Sequence, residues 1–225
     1  MSSLPKLPPD DPLSLVGEWL DYAVQQAVQR HPNAMTLATV DNSSRPSARV
    51  VLIKDLSREE GYLTFYSHYE SRKAAELAAN SNAAGVLHWD KLGRQIRFEG
   101  CVVRSPEDES DAYFATRPTE SQLNAWVSEQ SRPLADTSLL ELRRLEKSRE
   151  FSLGAKGKDN DETSERIELP RPDFWGGFRF WFSAVELWQE GEDRYHDRLR
   201  YERTLSPDTD DTFAAGNWSW QRLQP

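Results

Sequence analysis

A single cysteine, Cys101, stands in the 225 residues, so no intrachain disulfide can form and a cysteine-based metal site has no ligand set. Histidine is almost as scarce. His31, His68, His88 and His196 show no H-E-x-x-H or other local ligand spacing, and no metal is expected. Phosphate-loop glycine patterns are missing too: there is no G-x-G-x-x-G, no Walker loop, and the GAKGKD stretch has the wrong spacing. Nor is there a G-x-S-x-G elbow, which leaves a hydrolase without local support. Positive charge is in deficit, with 28 Lys and Arg against 37 Asp and Glu, a formal net charge of -9 and a pI near 5.1. That balance argues against a non-specific nucleic-acid partner. No apolar run approaches membrane-spanning length, and MSSLPKLPPDDPLSL has no basic region followed by a long apolar run. The expectation is a cytoplasmic protein without membrane or secretory segments.

What is present suffices for one hydrophobic core, since 37% of the residues are hydrophobic. Residues 1–10, rich in Pro and polar side chains, read as a flexible arm, and 11–225 as a single domain. Asp11 before Pro12 is a helix start, and apolar residues at helical spacing continue it to about Arg30. The period then changes. Strands are expected over 34–40, 47–54, 62–67, 84–89, 94–105, 178–189, 193–203 and 217–224. Helices are expected over 71–80, from Ser105 onward and over 137–151. The stretch 152–169 is charged and poor in large apolar residues, and reads as a mobile loop. Strands at hairpin spacing with helices at the flanks predict a mainly β, antiparallel barrel with added helices.

Against the acidic background, cations gather at a few places. Arg49 and Lys54 bracket RVVLIK, Arg72 and Lys73 open the helix SRKAAELAAN, and Arg117 lies in YFATRPTESQ. A helix start with adjacent Arg and Lys suits a phosphate, through amide donors and charge together. In DRYHDRLRYER, read as one strand, Arg194, His196, Arg198 and Arg200 alternate onto one face. On a protein with 29% charged residues, solvated surface charge is by chemistry alone the better account of such clusters.

Eight stretches in one order carry a resemblance: NAMTLATV, RPSARVVLIK, YESRKAAELAAN, GRQIRFEG, SDAYFATRPTESQLNAWVSEQS, DFWGGFRF, ELWQ and DRYHDRLRYER. With the ending WSWQRLQP, they resemble the pyridoxine (pyridoxamine) 5′-phosphate oxidase family over most of residues 12–225. The resemblance implies an FMN-binding split β-barrel working as a homodimer, with FMN between subunits. It implies flavin contacts from Arg49 and the following backbone (Val50, Val51, Leu52, Ile53), and from Lys54, Tyr66, Ser67, Gln95, Trp188 and Arg198. The FMN phosphate would be bound by Arg72 and Lys73, and completed by Gln130 and Ser131 of the other subunit. The substrate phosphate would be gripped by Lys54, Tyr113, Arg117 and Ser121, with Arg194 and His196 as the catalytic pair holding the pyridine ring. Tyr113 and Arg117, four apart, are expected on one helix face. Arg200 receives no role beyond a salt bridge.

The implied reaction is oxidation of pyridoxine or pyridoxamine 5′-phosphate to pyridoxal 5′-phosphate, with O2 as acceptor and H2O2 released. Two alternatives share the scaffold. One is a flavin oxidase of reduced phenazine-type tricyclic acids; the other is a flavin-binding protein without oxidase activity. The first is kept open by the missing Arg-Arg/Lys-x-Tyr segment in the N-terminal arm, by His31 where many relatives are expected to carry a carboxylate, and by the aromatic run FRFWFSAVELW.

Overall fold

A computed structural model describes residues 4–153, 167–209 and 211–225. Of the loop expected over 152–169, residues 154–166 lie outside the described residues. The chain forms two compact units: unit 1 comprises 1–66, 76–104 and 178–225, and unit 2 comprises 67–75 and 105–177.

Unit 1 holds most of an antiparallel sheet. In chain order its strands are β1 (Ala34–Val40), β2 (Pro46–Leu52), β3 (Asp55–Ser57), β4 (Tyr62–His68), β5 (Asn82–Trp89), β6 (Arg94–Arg104), β7 (Trp175–Gln189) and β8 (Asp197–Glu202). A short hairpin, β9 (Leu205–Pro207) with β10 (Phe213–Ala215), stands apart, and β11 (Ser219–Leu223) returns to the main sheet. Neighbours run β11-β8-β7-β6-β5-β1-β2, while β4 pairs both β3 and β7. Because β2 runs on through Ile53 and Lys54 into β3, and the Lys54 amide donates to Thr64 O at 2.8 Å, the strands curl round into a ring. β7 is the branch point, with β4, β6 and β8 all bonded along its 15 residues. This is a split, antiparallel barrel of the expected class.

Strand parity explains its two faces. Met35, Leu87, Ile96, Leu187 and Leu199 are each 0% exposed and alternate into the core. The intervening residues form cross-strand rows on the outer face. One row is Arg200, Glu186, Arg97, Val86, Thr36 and Val50. The adjacent row contains Arg198, Trp188, Gln95 and His88.

β7 keeps this order only through a bulge. Glu99 pairs Ala184 but Gly100 pairs Phe182, so Ser183 is the extra residue. Before it Phe178, Phe180 and Phe182 point inward; after it Val185 and Leu187 do. Gly100 permits the close approach, for a Cβ there would overlap the Trp181 carbonyl.

Helix α1 (Leu13–Gln25) starts where Asp11 Oδ1 accepts from the Leu13 amide at 2.8 Å. It stops five residues short of Arg30, because Ala27 takes φ 44° and breaks the repeat. Residues 4–10, expected as an arm, have anchors here: Leu4 is 3% exposed, Pro5 O accepts from Arg222 at 2.7 Å and Pro9 O accepts from the Tyr201 hydroxyl at 3.0 Å. Helix α2 (Arg72–Ala79) matches the helix expected over 71–80.

Unit 2 is mostly helical: α3 (Glu107–Thr116), α4 (Thr119–Val127) and α5 (Ser138–Glu150). Gln122, fully buried on α4, donates to Phe114 O at 3.0 Å and accepts from the Leu169 amide at 2.8 Å. That satisfied amide ties α3 and the 167–169 segment together beside a small core of Leu123, Val127 and Leu169. α5 has no buried residue and is joined to α4 by the Arg144–Glu120 pair at 2.8 Å.

Candidate functional site

Several site residues lie on the outer face of the unit 1 sheet. Gln95, Trp188 and Arg198 occupy one row across β6, β7 and β8. Arg198 places Nε 2.9 Å and Nη2 2.8 Å from Glu186 Oε1, and its Nη1 donates to Gln224 O at 3.0 Å. Val50 is 62% exposed on the same outer face, and Leu52 and Lys54 follow it at the strand parity. Val51 and Ile53 point the other way, at 8% and 5% exposure, so only their backbone is available to a ligand.

Arg49 also turns inward. Its Nη1 donates to Leu37 O at 3.2 Å and to Thr39 Oγ1; its Nη2 donates to Ser47 Oγ and, at 3.0 Å, to Glu76 Oε2. Thr39 and Ser47 hydroxyls donate to the same carboxylate. Arg49 thus belongs to a polar plug at the end of the β1–β2 hairpin, with Glu76 5% exposed at its centre.

The strand expected over 193–203 starts only at Asp197. Glu192–Arg194 form a single 3-10 turn, in which Asp193 and Arg194 both hold left-handed φ angles of 52° and 67°. Arg198 and Arg200 therefore keep the strand alternation, whereas Arg194 and His196 do not share it. Alternation of basic and aromatic residues mimics a strand here, but backbone in that region cannot carry a ladder. The turn brings the pair to one place nevertheless. Asp193, Arg194, Tyr195, His196 and Pro225 line an open cavity of about 460 Å³. The His196 ring lies 4.6 Å from that of Trp188, and its Nδ1 accepts from the Gly191 amide at 3.3 Å. Arg200, by contrast, is taken up in ion pairs with Glu99 at 2.9 Å and Glu202 at 2.8 Å.

Unit 2 carries a second group. Lys73, 8% exposed, donates to Ser67 Oγ at 2.8 Å, Ser71 Oγ at 3.1 Å and Gln130 Oε1 at 2.6 Å. Gln130, expected from another subunit, reaches Lys73 within this chain, because the segment after α4 returns to the start of α2. Ser131 follows with φ 74° and is exposed. Arg72 is the first residue of α2 and exposed, and Tyr66, on β4 in unit 1, is half-buried.

Tyr113 and Arg117 are not on one helix face. α3 ends at Thr116, and Arg117 is extended at φ -73°, ψ 144° because Pro118 follows it. What unites them is Trp175: the Tyr113 ring stacks on it at 6.3 Å and 10°, and the Arg117 guanidinium sits 4.4 Å above it. Sequence reasoning gives Trp175 no place in the site; its one signal is the pair of glycines that follows. A Cβ at Gly176 would overlap the Tyr69 hydroxyl. Ser121 lies in the first turn of α4, its amide donating to Pro118 O at 2.8 Å.

The electrostatics of unit 2 favour an anion. His68, 6% exposed and 5.6 Å from the Phe174 ring, is pushed down to about 4 by burial first, then by the charges of Lys73 and Arg117. Its imidazole is neutral near pH 7, under the influence of both cations. Burial also lowers the Arg117 pKa from its ordinary value. Lys73, with the Ser67 and Ser71 hydroxyls and the Gln130 amide around it, and Arg117, sharing Trp175 with Tyr113, are each the kind of donor a phosphate takes. The outer row of unit 1, an indole with a guanidinium and an amide beside it, suits a flat heteroaromatic ring bearing carbonyl groups. Each donor set, taken by itself, suits one part of a flavin mononucleotide. Among the described residues no group of three or more His, Cys, Asp or Glu could hold a metal, and no helix is long and apolar enough to cross a membrane.

Comparison with known proteins agrees with this chemistry. Residues 20–146 match the family model described as pyridoxamine 5′-phosphate oxidase, and residues 175–225 match the pyridoxine 5′-phosphate oxidase C-terminal dimerisation region. A pyridoxine/pyridoxamine 5′-phosphate oxidase of Burkholderia mallei is 46% identical over 194 residues, 86% of this chain and 80% of that protein. Its counterpart in Cupriavidus taiwanensis is 43% identical over 215 residues, 96% and 89% of the two chains. Among solved structures, PhzG of Burkholderia lata 383 in complex with tetrahydrophenazine-1-carboxylic acid superposes with a TM-score of 0.80 at 30% identity, covering 100% of both chains. An FMN binding protein from Nostoc punctiforme, at 15% identity and a TM-score of 0.64, shares the fold. The dimerisation region points to a homodimer, and the match over more than half the chain, with relatives above 40% identity, makes this protein a member of the pyridoxamine 5′-phosphate oxidase family of flavin oxidases.

Proposed function

We propose that the protein is an FMN-dependent oxidase converting pyridoxine or pyridoxamine 5′-phosphate to pyridoxal 5′-phosphate, with O2 as electron acceptor. The observation that carries this reading is the Tyr113–Trp175–Arg117 group beside a histidine held neutral first by burial and then by the charges of Lys73 and Arg117. A phosphorylated substrate calls for a guanidinium and hydroxyl donors together, the residue types that Arg117, Tyr113 and Ser121 bring. The relatives at 43–46% identity carry the pyridoxine/pyridoxamine phosphate oxidase name.

In this reading Gln95, Trp188 and Arg198 hold the flavin ring, with Val50, Leu52 and Lys54 and the backbone of Val51 and Ile53. Ser67, Arg72, Lys73, Gln130 and Ser131 hold the flavin phosphate. Arg49 acts through the β1–β2 end it braces, and Tyr66 lies beside the flavin. When bound, FMN supplies a two-electron acceptor that O2 regenerates with release of H2O2. The chain's own work is positioning. Lys54, Tyr113, Arg117 and Ser121 fix the substrate phosphate, and Arg194 and His196 fix the pyridine ring at the mouth of the 460 Å³ cavity. The active form is a homodimer, a reading supported by the dimerisation region matched over residues 175–225.

A second reading is favoured by one observation: the full-length superposition on PhzG, whose structure contains tetrahydrophenazine-1-carboxylic acid. In that reading the same flavin would oxidise a reduced tricyclic acid. The test is anaerobic. The protein is loaded with FMN, mixed with pyridoxine 5′-phosphate or with a reduced phenazine carboxylate, and the visible flavin absorption is followed. Bleaching by the vitamer, with recovery and pyridoxal 5′-phosphate on admitting air, is the expected result. Bleaching by the tricyclic acid alone would replace the first reading by the second. A flavin that binds and stays oxidised with both would leave a binding protein.

A further inference from the structure

Glu186 is 2% exposed at the centre of the outer face, two residues before Trp188. In its row it stands between Arg97 on β6 and Arg200 on β8. Oε2 is 3.2 Å from Arg97 Nη1 and 4.0 Å from Arg200 Nη1. Oε1 is reserved for Arg198, from the neighbouring row, which approaches through both Nε at 2.9 Å and Nη2 at 2.8 Å. A carboxylate this deep is costly unless paired, and the arginines meet that cost. Stability does not by itself explain the choice, since well-packed apolar residues commonly replace a buried ion cluster without loss. What the carboxylate gives that an apolar side chain cannot is direction.

With Nε and Nη2 on Glu186 and Nη1 on the Gln224 carbonyl, the Arg198 guanidinium has one orientation, in the row of Trp188 and Gln95. Its side chain stays 25% exposed, so one edge remains for a ligand. The charges around it balance: Arg97, Arg198 and Arg200 against Glu99, Glu186 and Glu202 share this face. Arg198 is therefore offered to a ligand through its geometry more than through a net positive field.

We propose that Glu186 is a positioning residue for the flavin, acting through Arg198. The inference rests on the reading of Arg198 and Trp188 as flavin contacts. It is tested by a double-mutant cycle on FMN affinity, read from the quenching of flavin fluorescence on titrating FMN with apoprotein. The four proteins are wild type, Glu186→Gln, Arg198→Ala and the double variant. Glu186→Gln should weaken FMN binding at least tenfold when Arg198 is present and less than twofold when it is absent, because the effect travels through that guanidinium. Equal weakening in both backgrounds would show a structural role only and overturn the inference. Glu186→Asp keeps the charge but withdraws it by one methylene. It should also weaken binding in an Arg198-dependent way, and it supplies the cycle if Glu186→Gln does not fold. Wild-type affinity in Glu186→Asp would count against the inference. Failure of the wild-type protein to bind FMN is a separate outcome, which removes the flavin reading itself and this inference with it.

Discussion

His68 makes unit 2 a sensor of acid. Its pKa is held near 4 in the folded chain, while in the unfolded chain it returns to about 6.5. Between these values the unfolded state binds more protons, so stability present at pH 7 is lost as the pH falls through 6.5 towards 4. Each pH unit inside the window is worth about 1.4 kcal/mol. From pH 7 to pH 5 this one group should therefore remove about 2 kcal/mol from the unfolding free energy. The assay is urea unfolding at both pH values for the wild type and for His68→Asn, which keeps polarity but does not titrate. Other groups titrate alike in both proteins, so the difference of differences isolates His68. Equal losses in the two proteins would refute the assignment. The same imidazole should also respond to an anion held at these cations. Inorganic phosphate bound near Lys73 or Arg117 should offset their charge and move the His68 titration upward, as followed by NMR. A titration indifferent to phosphate would mean that the two cations do not form an anion site beside it.

Other expectations follow from single contacts. Gly100→Ala places a methyl against the Trp181 carbonyl and should cost about 2–4 kcal/mol, read as a lower denaturation midpoint at unchanged slope. Trp175→Ala removes the surface that Tyr113 and Arg117 share; it should cost about 3–5 kcal/mol and raise KM for the phosphorylated substrate. Arg117→Ala should raise that KM with little change in kcat, and an unaltered KM would take Arg117 out of the phosphate grip. Arg194→Ala should lower turnover while leaving FMN affinity within about twofold, since Arg194 faces the cavity and not the row of Trp188.

Much of the barrel was legible because period-two patterning over seven or eight residues has few other causes. β1 falls on the residues expected, and β5 and β6 differ by one or two at their ends. The failures have physical reasons. Apolar spacing carries α1 past Gln25, but the spacing cannot register that Ala27 leaves the helical region. Tyr195 and His196 alternate like strand residues, yet the two left-handed residues before them make a turn. β9 and β10 have three residues each, too few for any period to show, and α4 buries Gln122 where a helical pattern would call for an apolar residue. Within the site, the cations were visible as residue types, whereas their partners were not. Arg49 meets Glu76 27 residues away, and Lys73 meets Gln130 57 residues away. Such pairings are set by strand register and helix return, and leave no local trace in the chain.

β7 can be regarded as a text in two reading frames. Upstream of Ser183 the even-numbered residues face the core; downstream the odd-numbered ones do, and Ser183 is the inserted letter that shifts the frame. Exchange of one core side chain for another leaves both frames legible. Loss of Ser183 would not: either Glu186 and Trp188 would be driven into the apolar interior, or Phe180 and Phe182 would be turned out of it. The strand therefore tolerates substitution far better than deletion, and the outer face with its arginines depends on a residue whose own side chain does little more than donate a hydrogen bond to the Glu99 carbonyl at 3.1 Å.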